Sequence, residues 1–278
     1  MFPATLMVHV PPGNDNASLL EFAKDVVART GARRVIGIAA VRPLQIYAAP
    51  ETYVPQGLFQ ADWEAMEKEL AGAERQFRAA FAGTTAKVEW RSAIMLEVVS
   101  DFVAEQMRAA DLLITAPRPR GILFDEARYL DVADLVLKAG RPALVAGAGV
   151  AKLDLGNAIV AWKDSREARR AVEDAVPFLR MAGKVTVVQV VDKDQEEEAG
   201  ERLQDVVAWL ASHGITAQAR VERGGDEDAL VLSGLAEDLK AGLIVGGAYG
   251  HSRLREWVLG GVTRELLLRP AQCSFVSH

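Results

Sequence analysis

The chain has 278 residues, half of them hydrophobic and a quarter charged, as in a soluble globular protein with room for one large domain or two ordinary ones. Its formal net charge of −6, with 38 acidic against 32 basic residues, argues against nonspecific nucleic-acid binding. Cys273 is the only cysteine, which excludes an intrachain disulfide and is compatible with a reducing cytosol. Met1 to Val10 reads poorly as a signal peptide, and no apolar run reaches the length of a membrane span, so the expectation is a soluble cytoplasmic protein.

Taken in order, Leu6 to Val10 reads as a strand before an amphipathic segment, and Arg34 to Val41 as a second, rich in β-branched residues. Pro43 to Asp62, with its prolines, Gly57 and two tyrosines, reads as an insert, either a lid or a surface excursion. Asp62 to Phe81 follows as a long helix with Trp63, Met66, Leu70, Phe77 and Phe81 among its apolar positions. Asp111 to Ala116 is a strand, Val132 to Ala139 a short helix and Ala143 to Val145 a terminal apolar run. The glycines of Ala146 to Gly156 mark a linker, and the domain boundary is placed near residue 152, giving domains 1–151 and 152–278.

The second half repeats the plan. Ala158 to Trp162 is its first strand, and Ser165 reads as the N-cap of a helix whose face is marked by Ala168, Ala171, Val172, Ala175, Val176 and Leu179. Lys184 to Val191 matches Arg34 to Val41, the acidic run Asp192 to Glu201 suits a solvated helix start, and Leu243 to Val245 matches the strand at Asp111. Val262 to Arg269 and Cys273 to Val276 match the last helix and strand of the first half. The offset between copies is about 150 residues through the second strand and about 131 later, which locates the insert. Each half therefore reads β-α-β-α-β-α-β-α-β, a parallel sheet covered on both faces. The two terminal runs read as edge strands that should pair and make an intrachain pseudo-dimer, with a further homodimer as an option.

The segment after Leu243–Val245 carries the chemistry. Gly247, Gly250, Gly260 and Gly261 stand between a strand and a helix start, where glycine admits a ligand close to the backbone and the helix's free amides favour phosphate oxygens. No Gly-Lys-Ser/Thr follows, so this is not a Walker A loop. Shape alone could also require these glycines. Arg253 and Arg255 suit a phosphate but could equally be solvated or paired with Glu256, and Tyr249 and Trp257 suit packing better than base stacking. His9, His213, His251, His278 and Cys273 show no metal-ligand spacing.

The spacing Gly247-x2-Gly250-x9-Gly260-Gly261 resembles the hallmark of the universal stress protein family, Gly-x2-Gly-x9-Gly-Ser/Thr, with glycine in place of the final hydroxyl residue. The chain looks like the tandem form of that family. The resemblance implies an α/β fold of two Rossmann-like (adenine nucleotide alpha hydrolase-like) domains, each a five-stranded parallel sheet of order 3-2-1-4-5. It implies ATP, or ADP or AMP, with magnesium, in the second domain. Gly247, Gly250, Gly260 and Gly261 then match the phosphate positions, with Val262 and Thr263 at the helix start and Thr263 standing in for the missing hydroxyl. The family's aspartate after strand one falls on Lys163 when the chains are aligned on Ser165, so Asp164 serves only with a shift of one residue. Val190 and Val191 match the backbone contact to the base.

The first half departs from the pattern: Ala116 to Gly121 lacks the glycine spacing, Pro117 and Pro119 remove amide donors, and Asp131 stands opposite Gly261. No ATP is expected there. The resulting functional reading is a stress-response regulatory protein that binds an adenine nucleotide and is read by a protein partner. The alternatives are an interaction scaffold without nucleotide and a slow ATPase using Arg253 or Arg255 for charge stabilisation.

Overall fold

The computed structural model describes residues 2–43, 56–116, 130–224, 228–248 and 272–278. In the first half, β1 (Thr5–His9), α1 (Ala17–Thr30), β2 (Arg34–Val41), α2 (Gln56–Ala80), β3 (Lys87–Ile94), α3 (Val99–Gln106), β4 (Leu112–Thr115), α4 (Val132–Ala139) and β5 (Ala143–Val145) follow one another. The second half supplies β6 (Asn157–Ala161), α5 (Arg166–Leu179), β7 (Lys184–Val191), α6 (Glu196–Ser212), β8 (Ala217–Arg223), α7 (Asp228–Asp238), β9 (Leu243–Gly247) and β10 (Cys273–Ser277).

The strands form one ten-stranded sheet of order β3-β2-β1-β4-β5-β10-β9-β6-β7-β8. Each half thus has the order 3-2-1-4-5, and the halves meet through an antiparallel pairing of β5 with β10, Leu144 opposite Phe275. That pairing places a local twofold relation at the centre of the sheet. The central strands are buried on both faces, which explains their unbroken apolar runs, whereas the edge strands β3 and β8 are partly exposed.

Helices α1, α2, α5 and α6 cover one face. Phe22, Met66, Phe77, Ala171, Val172, Leu203 and Leu210 join the strand residues Leu144 and Phe275 there in a single core that crosses the joint. Phe178 of α5 packs on Phe275 of β10 beside that joint, with ring centroids 5.6 Å apart. Helices α3, α4 and α7 cover the other face, through Val99, Val103, Leu135 and Val136 in the first half and Leu232 and Leu235 in the second.

One expectation changes. Helix α2 begins at Gln56, six residues before Asp62, because Gln56 to Ala61 continues the helix without a proline; residues 44–55 of the expected insert lie outside the described residues. The expected linker is packed in place. Leu153 and Leu155 are buried in the shared core, and the Leu153 amide donates to Asp25 Oδ2 of α1 at 3.0 Å. No helix among the described residues is long and apolar enough to cross a membrane.

Candidate functional site

The strand order of the second half reverses between β9 and β6, which makes the crevice at their carboxyl ends the place where a ligand is expected. Asp164, Val190 and Gly247 lie at the carboxyl ends of three adjacent strands, β6, β7 and β9. Gly250, Arg253, Gly260, Gly261, Val262 and Thr263 lie outside the described residues, as do Tyr249, Arg255 and Trp257.

Gly247 ends β9 against the first turn of α5. A Cβ there would stand 2.6 Å from both the Ala168 nitrogen and the Glu167 carbonyl carbon, so glycine is required by backbone approach alone. The N-terminus of α5 is satisfied from within: Ser165 Oγ accepts from the Ala168 amide at 3.3 Å, as an N-cap should. Glu167 is buried beside it. Burial pushes its carboxyl up, but hydrogen bonds from Arg166, from its own amide and from Ser165 outweigh this and hold it below the usual range. A carboxylate is therefore already stabilised at this helix start.

Asp164 is half-exposed and paired with Arg169 at 2.5 Å. Its carboxylate is therefore turned along α5. Val190 lies past the β6–β7 ladder, whose last bond runs from the Trp162 amide to the Val188 carbonyl at 2.7 Å. Val190 itself pairs with Glu222 of β8.

Two residues at the loop's entrance were not foreseen. The Ala248 amide donates to Ser277 O at 2.8 Å, and His278 Nδ1 lies 2.9 Å from Ala248 O. His278 Nε2 faces an Arg166 Nη2 at 3.5 Å. An arginine cannot accept, so Nε2 accepts, and Nδ1–H donates to Ala248. His278 thereby holds Ala248 in place and brings Arg166 beside it. Nothing in local spacing signals this, because the pairing of β9 with β10 creates it.

The same place in the first half is built differently. The register aligns His9 with Ala161 and Thr115 with Gly246, since Val8 pairs with Ile114 as Val160 pairs with Val245. His9 is buried, and its Nδ1 lies 3.0 Å from Thr115 Oγ1. Burial without a charged partner pulls this imidazole down to about 4, so it is neutral. The loop that follows is closed on itself: Asn16 Nδ2 donates to Pro11 O and Asn14 O, and Gln76 of α2 accepts from the Asn16 amide and donates to Asn14 O. In the second half, Ala161 and Gly246 together carry one methyl where the first half carries an imidazole and a threonine side chain.

No family model and no curated protein matches the sequence. Solved structures do match. A universal stress protein from Archaeoglobus fulgidus is 15% identical, with a TM-score of 0.71 over 98% of this chain and 95% of that one. A Pseudomonas aeruginosa protein provisionally described as a universal stress protein is 16% identical, with a TM-score of 0.64 over 99% of this chain and 92% of that one. The chain has the fold of these proteins along nearly its whole length.

Proposed function

We propose that the chain is a universal stress protein of the tandem type, a stress-response regulatory protein that binds one adenine nucleotide in its second half, residues 152–278. The carrying observation is the contrast at equivalent positions: His9–Thr115 fills the carboxyl ends of β1 and β4, while Ala161–Gly246 leaves those of β6 and β9 lined by a single methyl. The glycine spacing of Gly247, Gly250, Gly260 and Gly261 supports phosphate contacts from that side. Arg253, Val262 and Thr263 extend the phosphate set, and Val190 offers its main chain to the base. The self-paired Asp164 and the absent hydroxyl at Gly261 favour the second reading, an interaction scaffold without nucleotide.

Equilibrium dialysis against ATP, ADP and AMP, each with magnesium, separates the two. The nucleotide reading expects retention of at least one of the three and its loss in Gly260→Trp with the fold intact. No retention at millimolar nucleotide leaves the scaffold.

A further inference from the structure

At the amino ends of β2 and β3, opposite the carboxyl-end crevice, the last turns of α1 and α2 part around a cleft of about 560 Å³. Val27, Ala28, Ala32, Ala80, Phe81 and Ala86 give it an apolar wall. The chain enters β1 from the β4 side, where the Ala4 amide donates to Asp111 Oδ2 and Phe2 and Pro3 lie with Pro142; residues 2–4 line none of the cleft.

The second half shows what fills the same corner. The Gly31 amide donates back to Val27 O at the end of α1, as the Arg180 amide donates back to Val176 O at the end of α5, so Gly31 and Arg180 are equivalent. Ala86 and Ile215 are equivalent too, each standing two residues before the strand partner of Val35 or Val185 (88 − 86 and 217 − 215). In the second half Ile215 is buried, Met181 packs against the same core, and Arg180 Nε donates across to the His213 carbonyl at 2.8 Å.

In the first half each of these groups is cut back. A methyl at Ala86 stands where Ile215 has its branched chain, and Gly31 has no side chain to reach α2. Only Ala32 and Arg33 separate Gly31 from β2, where Met181, Ala182 and Gly183 separate Arg180 from β7. Gly31 has a φ of 65°, a left-handed conformation that a larger residue would strain to adopt, so the backbone itself keeps the corner open. The second half closes the corner with aliphatic side chains and a cationic bridge, and the first half leaves it as a cleft.

The charge of the rim indicates what fits. Lys24 and Arg33 are the only charged residues of the wall, and no Asp or Glu lines it, although the chain as a whole has a net charge of −6. Lys24 makes an exposed pair with Glu21 of its own helix at 2.8 Å, and Arg33 has no carboxylate partner among the described residues. We propose that this cleft binds an aliphatic carboxylate, its hydrocarbon taking the space that Ile215 and Met181 fill in the second half and its head group meeting Arg33 and Lys24. The volume is within the range of about 300–1,000 Å³ typical of ligand clefts, and a guanidinium matches a carboxylate in fork geometry. The site does not depend on the nucleotide reading, because it lies at the other end of the strands.

Isothermal titration of the full chain with sodium octanoate, and with octan-1-ol as the neutral comparison, tests this. Octanoate should saturate about one site per chain, and octanol should bind about fivefold more weakly. Arg33→Gln should lower octanoate to the level of octanol. Ala86→Ile, which restores the second half's side chain, should abolish binding of both while the melting temperature is retained; should that variant not fold, Ala86→Val carries the same comparison. Added ATP should leave octanoate binding unaltered. Absence of saturation at millimolar octanoate, equal binding by Arg33→Gln or Ala86→Ile and the parent, or displacement by ATP each overturns the proposal.

Discussion

At the scale of single residues, the described difference between the halves lies in His9 and Thr115 against Ala161 and Gly246. None of these four stands out in the sequence. They acquire meaning only when the register shows that they occupy the same two places. His9 also sets a pH dependence. Its imidazole is held down at about 4 in the folded chain and returns to about 6.5 when the chain unfolds. Between those values the unfolded chain takes up a proton that the folded chain does not, so stability is fully present above about 6.5 and falls as pH drops towards about 4. The expected loss is on the order of 3 kcal/mol, and urea unfolding of His9→Gln should show a flatter profile across that window. Glu89 acts at lower pH. Its hydrogen bond from Arg34, with help from Lys87, holds its carboxyl at about 2, so its contribution is lost only as pH falls from about 4.5 towards that value. A His9→Gln variant with the parent's full acid sensitivity between pH 6.5 and 4 would refute the assignment.

At the scale of elements, β2 and β7 were legible to their ends because strands buried on both faces are continuous apolar runs. The N-cap at Ser165 was legible because its chemistry is local. The start of α2 was not, since the sequence before Asp62 offers turn-forming residues and helix-compatible ones side by side. The burial within the linker was not legible for a different reason. Its glycines signal a turn, whereas the burial of Leu153 and Leu155 depends on α1 and on the second half at once. Leu153→Ala should therefore cost about 2–5 kcal/mol, the range for a buried core leucine, as read by denaturant unfolding. A change within about 0.5 kcal/mol, as at a surface position, would return the segment to the status of a tether.

At the scale of the whole molecule, the duplication and the pairing of the two terminal strands could be read from the sequence, because both halves repeat one order of elements. Their fusion into one sheet and one core could not, since it depends on packing that brings Leu144 of one half and Phe275 of the other into a single cluster. A shared core should unfold as one unit, and scanning calorimetry is expected to show a single transition with matching calorimetric and van't Hoff enthalpies. Two resolved transitions would mean that the halves are independent.

Of the candidate site, the glycine spacing was legible from residues alone, while the clamp of His278 on Ala248 required the β9–β10 pairing. We propose that only one of the two halves has kept a nucleotide site. Isothermal titration of the full chain with ATP and magnesium tests it most directly, with Ala161→His as the matched control that grafts the first half's imidazole onto the second. The expected stoichiometry is about one per chain, with binding abolished in the variant while its melting temperature is retained. A stoichiometry of about two, or a variant that binds as well as the parent, would contradict it.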